Sequence, residues 1–315
     1  MNLLHESVVK ESEIDSLGHM NVRFYVARAA EANNRLLGDI GVSQQLGQGQ
    51  IVRRVDTYNR FLREQFAGAP LEVHGGLVTG ERITDTQGVT AYYEIRNPES
   101  GDVAAAFIMT SAFVNSATQE IAETPQPTTE LQEAFRIHVP EYGVPRSLKL
   151  TEPKVVTLDE LMPHMPSDPT PGMMSGMREA KILSEDCDEN GRFREDTDLM
   201  FALFRPQPGD DLKSMGPPVV RDEHGRRYSF AMMETRSLTW DRPMADTTLV
   251  ALGADLAFGE KWRHSRRWMF EKESSKLLGV SDSIGLCMDL DARKAIPIPA
   301  EVRASVEAHY LPQFA

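Results

Sequence analysis

The stretch Asp15-Ser16-Leu17-Gly18-His19-Met20-Asn21-Val22-Arg23-Phe24-Tyr25 sets an acid, a glycine turn, a histidine and an asparagine ahead of a long apolar-periodic segment. Such a set can do carbonyl chemistry. A helix N-terminus offers unpaired N–H groups and the positive end of a dipole, which polarise a carbonyl oxygen or hold an oxyanion. A carboxylate a few residues upstream can then act as general base or nucleophile on the same carbon. Asn21 is the natural N-cap, and Gly18 permits the sharp turn before it. The same residues also suit a purely structural turn, in which Asp15 closes an Asx-turn, His19 is solvated and Asn21 only caps.

The elements that must position this turn are read from periodicity. Tyr25, Val26, Ala29, Ala30, Leu36, Leu37 and Ile40 recur near a 3.6-residue period, which predicts an amphipathic helix from about Val22 to Leu37 ended by Gly38 and Gly41. Ala27, Ala29, Ala30 and Ala32 let another surface approach its backbone. A strand is expected over His5–Ile14, a short helical piece over Ser43–Leu46, and a bent strand over Ile51–Phe66. Pro70–Thr79, Val89–Arg96 and Val103–Val114 read as further strands, with Gly75-Gly76 marking a bulge or a close approach. One strand, a long helix and a run of antiparallel strands is an α+β pattern.

The motif Asp-x-x-Gly-His-Met-Asn-x-x-x-Tyr, with Glu31 further along the helix, resembles the 4-hydroxybenzoyl-CoA thioesterase group of hotdog-fold proteins. Val22 stands where that group usually has a second asparagine. The resemblance implies a long helix laid against a curled antiparallel sheet and an acid, Asp15, working at a thioester as base or nucleophile. His19 and Asn21 would position the turn or a water, N–H groups around Val22–Tyr25 would polarise the carbonyl, and Tyr25 and Glu31 complete the candidate set. The reaction expected is hydrolysis of an acyl thioester, with acyl-CoA as first choice. An acyl-carrier-protein thioesterase and a non-catalytic acyl-CoA-binding protein are the alternatives. No cofactor is expected beyond the coenzyme A of the substrate.

A net charge of −13 argues against nucleic acid or an anionic membrane as partner. It also means that basic residues must gather locally to hold the phosphates of coenzyme A. Arg53-Arg54, Arg60 and Arg63 form one cluster, and Lys261–Trp268 a denser one. Arg60, Arg63, Arg263 and Arg266 are the candidate phosphate contacts. Two cysteines, Cys187 and Cys287, provide neither a disulfide framework nor metal spacing. No apolar run approaches the ~18 residues of a membrane span, and Met1–Glu6 does not read as a secretory leader. These features suggest a cytoplasmic protein. Nucleotide-binding loops, serine-hydrolase elbows and zinc-helix motifs are absent from the sequence.

With 315 residues there is room for two domains. Nine of the nineteen prolines fall between Pro125 and Pro171, so 125–172 reads as a linker with a short helix over Thr128–Val139. It separates an N-terminal domain, 1–124, from a C-terminal one, 173–315. Asp188 and Gly191 lie 173 residues after Asp15 and Gly18, and Gly259-Glu260 lies 179 after Gly80-Glu81. Strands expected at Thr247–Ala257, Arg267–Glu273 and Leu277–Leu290 repeat the earlier series, which predicts a tandem duplicated hotdog. In the second copy Arg192 replaces His19 and Arg194 replaces Asn21, so both guanidinium groups are expected to pair with Asp188. The helix after them, Thr197–Phe204, meets Pro206 and Pro208 early. Fused halves would allow a monomer with intramolecular pairing, or a homodimer of such chains.

Overall fold

The apolar stripe and the Asn21 cap make one long helix, α1, over Val22–Asp39. It buries Tyr25, Val26, Ala29, Ala30, Leu36 and Leu37, as the period requires, together with two polar residues, Arg28 and Asn33. The computed structural model describes residues 1–79, 83–165, 176–204, 219–222 and 225–315. These form two compact units. The first comprises Met1–Glu152 with the segments Arg194–Asp198 and Arg236–Trp240; the second holds Pro153–Phe193, Leu199–Thr235 and Asp241–Ala315.

In the first unit, β1 (Asn2–Val8), β2 (Gln50–Phe61), β3 (Pro70–Val78), β4 (Val89–Arg96) and β5 (Val103–Asn115) lie in the order β1-β3-β4-β5-β2. All neighbours are antiparallel, and α1 packs on this sheet. The strand expected over His5–Ile14 stops at Val8 and gives way to a 3-10 turn at Glu11–Glu13, where the Glu13 side chain accepts from the Lys10 N–H at 3.0 Å. β2 ends at Phe61 rather than Phe66 because Leu62 and Arg63 both turn their N–H groups to the Ala104 carbonyl.

Gly75 and Gly76 mark close approaches, not a bulge. A Cβ on Gly75 would lie 2.4 Å from the Tyr93 ring, and one on Gly76 would lie 2.5 Å from the Phe135 carbonyl. The unit continues through β6 (Ile121–Ala122), which pairs with β5, and α2 (Thr129–Phe135) to β7 (Arg136–Ile137). β7 runs parallel to Leu77-Val78, a two-residue exception to the antiparallel pattern, beyond the last β1 pairing at Gly75. Buried polar groups fasten the unit. Asp56 receives both Arg236 Nε, at 3.0 Å, and Nη2, at 2.8 Å, and the Thr84 and Thr86 hydroxyls close its second oxygen.

The second unit opens with α3 (Leu158–Leu161) and β8 (Gly176–Lys181). The short β9 (Val220–Arg221) pairs with β10 (Arg227–Thr239), and β11 (Thr248–Phe258), β12 (Trp262–Glu271) and β13 (Leu277–Asp289) follow. Their order is β8-β11-β12-β13-β10, strand for strand that of the first unit. The ending repeats too. β14 (Lys294–Ala295) pairs with β13 as β6 does with β5, and α4 (Ala300–Ala308) follows as α2 does. The duplication therefore extends over the whole sheet, although Gly80-Glu81, one half of the second sequence alignment, lies outside the described residues. In place of a long helix the described residues of the second copy have a 3-10 helix at Leu199–Phe204. It packs in an apolar cluster that includes Phe193, Ile182, Leu249 and Met269.

Candidate active site

Asp15 sits at the mouth of a tight turn that delivers the chain into α1. Its N–H donates to the His19 carbonyl and the Gly18 N–H donates back to the Asp15 carbonyl, both at 3.0 Å. Gly18 adopts φ +83°, which a side chain disfavours. Below the turn, Met20 N–H donates to the Gln65 carbonyl at 2.7 Å and Asn21 N–H to the Glu13 carbonyl at 2.9 Å. Glu13 is itself held by Arg28 of α1, whose Nη2 lies 2.7 Å from Glu13 Oε2. Arg28 also reaches the Ser7 hydroxyl and the Val8 and Phe24 carbonyls. Helix, first strand and turn are thus fixed through one guanidinium.

The Asp15 side chain is 3% exposed. Oδ1 accepts the Leu17 N–H at 2.9 Å, an Asx-turn, and Oδ2 accepts the Asn21 side-chain amide at 3.3 Å. Asn21 Oδ1 accepts the Arg23 N–H at 3.1 Å, so one side chain caps the helix and holds the acid. The structural and the chemical readings of the turn are compatible: the Asx-turn and the cap are what present the acid. Burial raises the Asp15 pKa above the ordinary carboxylate value. His19, the Leu17 N–H and the Asn21 amide oppose that rise.

The remaining sequence candidates divide. His19 lies beside Asp15, with Nδ1 3.9 Å from Oδ1. Tyr25 is buried, donates its hydroxyl to the Arg63 carbonyl at 3.2 Å and meets Phe61 edge-on. Burial raises the Tyr25 pKa far above its ordinary value, so the hydroxyl stays a donor that ties α1 to the segment after β2. Glu31 does not join the turn. It is exposed, pairs with His5 at 3.1 Å, and lies about 15 Å along α1 from the cap. Of the first-turn donors, Arg23 N–H is taken by Asn21 Oδ1 and Phe24 N–H by the Asn21 carbonyl. Val22 N–H, the first of the helix, has no acceptor within it.

The arginines divide as well. Arg63 is exposed and close to the turn through its own carbonyl, while Arg60 is half-buried with Nη1 on the Val144 carbonyl at 3.3 Å. Arg263 and Arg266 are engaged inside the second sheet rather than presented to solvent. Arg266 grips Asp282 with two nitrogens, at 2.9 and 3.0 Å, and donates to the Phe314 carbonyl; Arg263 lies against Asp255 and the Phe230 ring. The basic run around them is β12 itself, and most of it is buried. Glu13, Arg28, Glu64 and Gln65 escaped the sequence reading. The available signal was Arg28, a cation on the buried stripe of a helix.

The second copy builds the same turn. Asp188 N–H donates to the Arg192 carbonyl, Gly191 N–H to the Asp188 carbonyl, and Gly191 takes φ +75°. Its carboxylate, however, is exposed, and it accepts only from the Asn190 and Arg192 N–H groups among the bonds described. The expected pairing with two guanidinium groups does not occur. Arg192 goes to Asp241 and the Arg242 carbonyl on a neighbouring segment, and Arg194 to Asp196 two residues further on.

A family profile described as the Thioesterase-like superfamily matches residues 9–135. The helix-on-sheet fold of the first unit is a hotdog. A search of curated proteins returned no match. Among solved structures, the chain is similar to an acyl-ACP thioesterase from Bacteroides thetaiotaomicron, at 10% identity and a TM-score of 0.59, over 89% of this chain and 96% of that one. It is also similar to the 12:0-ACP thioesterase from Umbellularia californica, at 11% identity and a TM-score of 0.57, over 89% and 92%. These likenesses extend across both units and concern the fold. Within the first unit, a cavity of about 810 Å³ opens at the far end of β3, lined by Leu77, Thr79, Thr86, Val89, Ile121 and Gln126. Neither Asp15 nor any other residue of the turn lines it, so the cavity and the turn are separate features. Among the described residues no helix is long and apolar enough to cross a membrane.

Proposed function

We propose that the protein hydrolyses an acyl thioester at the Asp15 turn, with acyl-CoA as the first substrate class. The observation that carries this reading is the Asp15 carboxylate itself: buried, raised in pKa by that burial, and held by the residue that caps α1. A carboxylate of raised pKa is a stronger base at neutral pH than an exposed one. The thioester carbonyl would lie against the free N–H of Val22, where the helix dipole favours the negative charge that develops on oxygen. Asp15 then either removes a proton from an attacking water or attacks the carbonyl carbon itself. In both routes the C–S bond breaks with its electrons leaving on sulfur, and in the second, water then cleaves the acyl–Asp15 anhydride to release the acid and restore the carboxylate. A thiolate leaves readily, which suits a site with one principal acid and no strong general acid beside it.

Arg63, exposed beside the turn, and the half-buried Arg60 are our candidates for the phosphates of coenzyme A. A carrier-protein thioester is the second reading, favoured by the two-unit organisation shared with proteins named as acyl-ACP thioesterases. Release of thiol from a panel of acetyl, medium-chain, long-chain and aromatic acyl-CoAs tests the proposal, without added metal or nucleotide. Turnover of some member is expected. Tight binding with no thiol released across the panel would favour a binding protein instead, and turnover confined to acyl-carrier-protein thioesters would favour the second reading.

A further inference from the structure

His19 stands between two carboxylates. Its Nε2 is 3.4 Å from Glu64 Oε1, on the side away from Asp15, while Nδ1 is 3.3 Å from the Met20 carbonyl and 3.9 Å from Asp15 Oδ1. The ring is largely buried and Glu64 is half exposed. Glu64 is also held in place. On one side of it, the Leu62 and Arg63 N–H groups bond the Ala104 carbonyl and the Arg63 carbonyl takes the Tyr25 hydroxyl. On the other, the Gln65 carbonyl takes the Met20 N–H and its side chain takes the Asn97 amide. The backbone around Glu64 is therefore fastened to α1, to the turn and to the sheet.

The second unit repeats this arrangement with other residues. Phe193 N–H donates to the Pro243 carbonyl, as Met20 N–H does to that of Gln65. In that register Arg192 stands for His19, and Asp241, one position from the equivalent of Glu64, supplies the carboxylate at 3.5 Å. A nitrogen donor on the turn facing an acid from the strand exit thus occurs in both copies. Only the first copy uses an imidazole, and only there is the neighbouring acid of the turn buried.

We propose that Glu64 is a positioning residue for the first unit: it accepts the Nε2 proton of His19 and so keeps the Nδ1 edge of the ring turned towards Asp15. This rests on the hydrolytic reading of the Asp15 turn. Glu64 reaches no reacting atom and acts through His19. The imidazole is the first of the groups that counter the effect of burial on Asp15. If the ring is freed to rotate, the carboxylate loses its partner at the moment it must hold charge or accept a proton.

Glu64→Gln, Glu64→Asp, His19→Gln and the double variant Glu64→Gln/His19→Gln form the test, on the best thioester of the panel. Glu64→Gln is expected to lower kcat by about tenfold with KM unchanged, and His19→Gln to lower it at least as much. The double variant should be no slower than His19→Gln alone, because both changes remove one coupled arrangement. Glu64→Asp should recover part of the loss. Additive losses, a change confined to KM, or wild-type kcat in Glu64→Gln would overturn the proposal.

Nitrogen-15 NMR of the His19 ring supplies a readout that does not need turnover. The wild-type ring should show a slowly exchanging N–H signal at Nε2, and Glu64→Gln should remove that protection. Identical ring signals in the two proteins would overturn the proposal even if no thioester is cleaved. Failure of the wild type to release thiol, with the ring signals differing as expected, would instead count against hydrolysis.

Discussion

The two copies of the turn allow one substitution to be read against the other. Asp15→Asn preserves shape: the asparagine Oδ1 can still accept the Leu17 N–H now bonded at 2.9 Å. What it loses is the acceptor for the Asn21 amide, a 3.3 Å contact worth about 1 kcal/mol. Removing a buried charge offsets part of that loss, so the variant should fold. Its turnover should fall by about 10²- to 10⁴-fold, the scale for losing a principal acid–base group. Asp188→Asn also keeps its two backbone contacts, since Asn190 and Arg192 N–H both point at Oδ1. That carboxylate is exposed, so stability should change by no more than about 0.5 kcal/mol. Turnover should stay within about threefold of wild type, less than 1 kcal/mol in barrier. Steady-state kinetics of both variants on one substrate, with thermal melts to confirm folding, decide the matter. Loss of activity in folded Asp188→Asn with activity retained in Asp15→Asn would refute the assignment of the working half.

The same contacts give three further outcomes. Because burial raises the Asp15 pKa from its ordinary 3.8, the ionised form is disfavoured in the folded state. The associated stability is therefore present below pH ~3.8 and lost as pH rises through the higher folded value. The melting temperature of Asp15→Asn relative to wild type should accordingly be higher at pH 7.5 than at pH 3.5, and a difference independent of pH would contradict the burial argument. Arg28→Met leaves Glu13 buried beside Asp15 without its 2.7 Å partner and should cost about 3 kcal/mol or more by urea unfolding. Adding Glu13→Gln should return most of that, and an Arg28→Met cost below 1 kcal/mol would show the pair to be incidental. Gly18→Ala meets open space but a φ of +83°, so it should cost about 1–2 kcal/mol through backbone strain alone. A cost near zero would mean that the turn relaxes.

What could be read from residue types was local. The start of α1 at Val22 was visible because a cap and a 3.6-residue stripe are properties of neighbours in sequence. That the second unit repeats strands of the first was accessible through the repeat, but the order in which the strands pair was not. The basic run at 261–268 was opaque for the opposite reason. Arg266 has its partner, Asp282, opposite it on β13 across the ladder, and only strand register brings them together. β10 went unrecognised because Glu234 and Arg236 interrupt its apolar pattern, yet both are buried, Arg236 against Asp56, which lies 180 residues earlier in the chain. Glu64 was hidden in the same way, its relation to His19 being set by where β2 leaves the sheet.

The repeated turn separates what a motif specifies from what chemistry needs. Acid, two residues, glycine, then a backbone bridge back to the acid is enough to close the loop, and it closes identically at Asp15 and Asp188. The spacing selects the backbone and nothing more. Beyond the closed loop the copies diverge. Asn21 caps an eighteen-residue helix and also holds Asp15, while Arg194 pairs with Asp196 and leads to a six-residue 3-10 segment. A capped helix brings a dipole and an unbonded first N–H, and both would act on a carbonyl placed there. Without that helix the acid remains in solvent. The copies part at the residue six positions after the acid: Asn21 caps a helix against the turn and holds the acid, whereas Arg194 turns to Asp196.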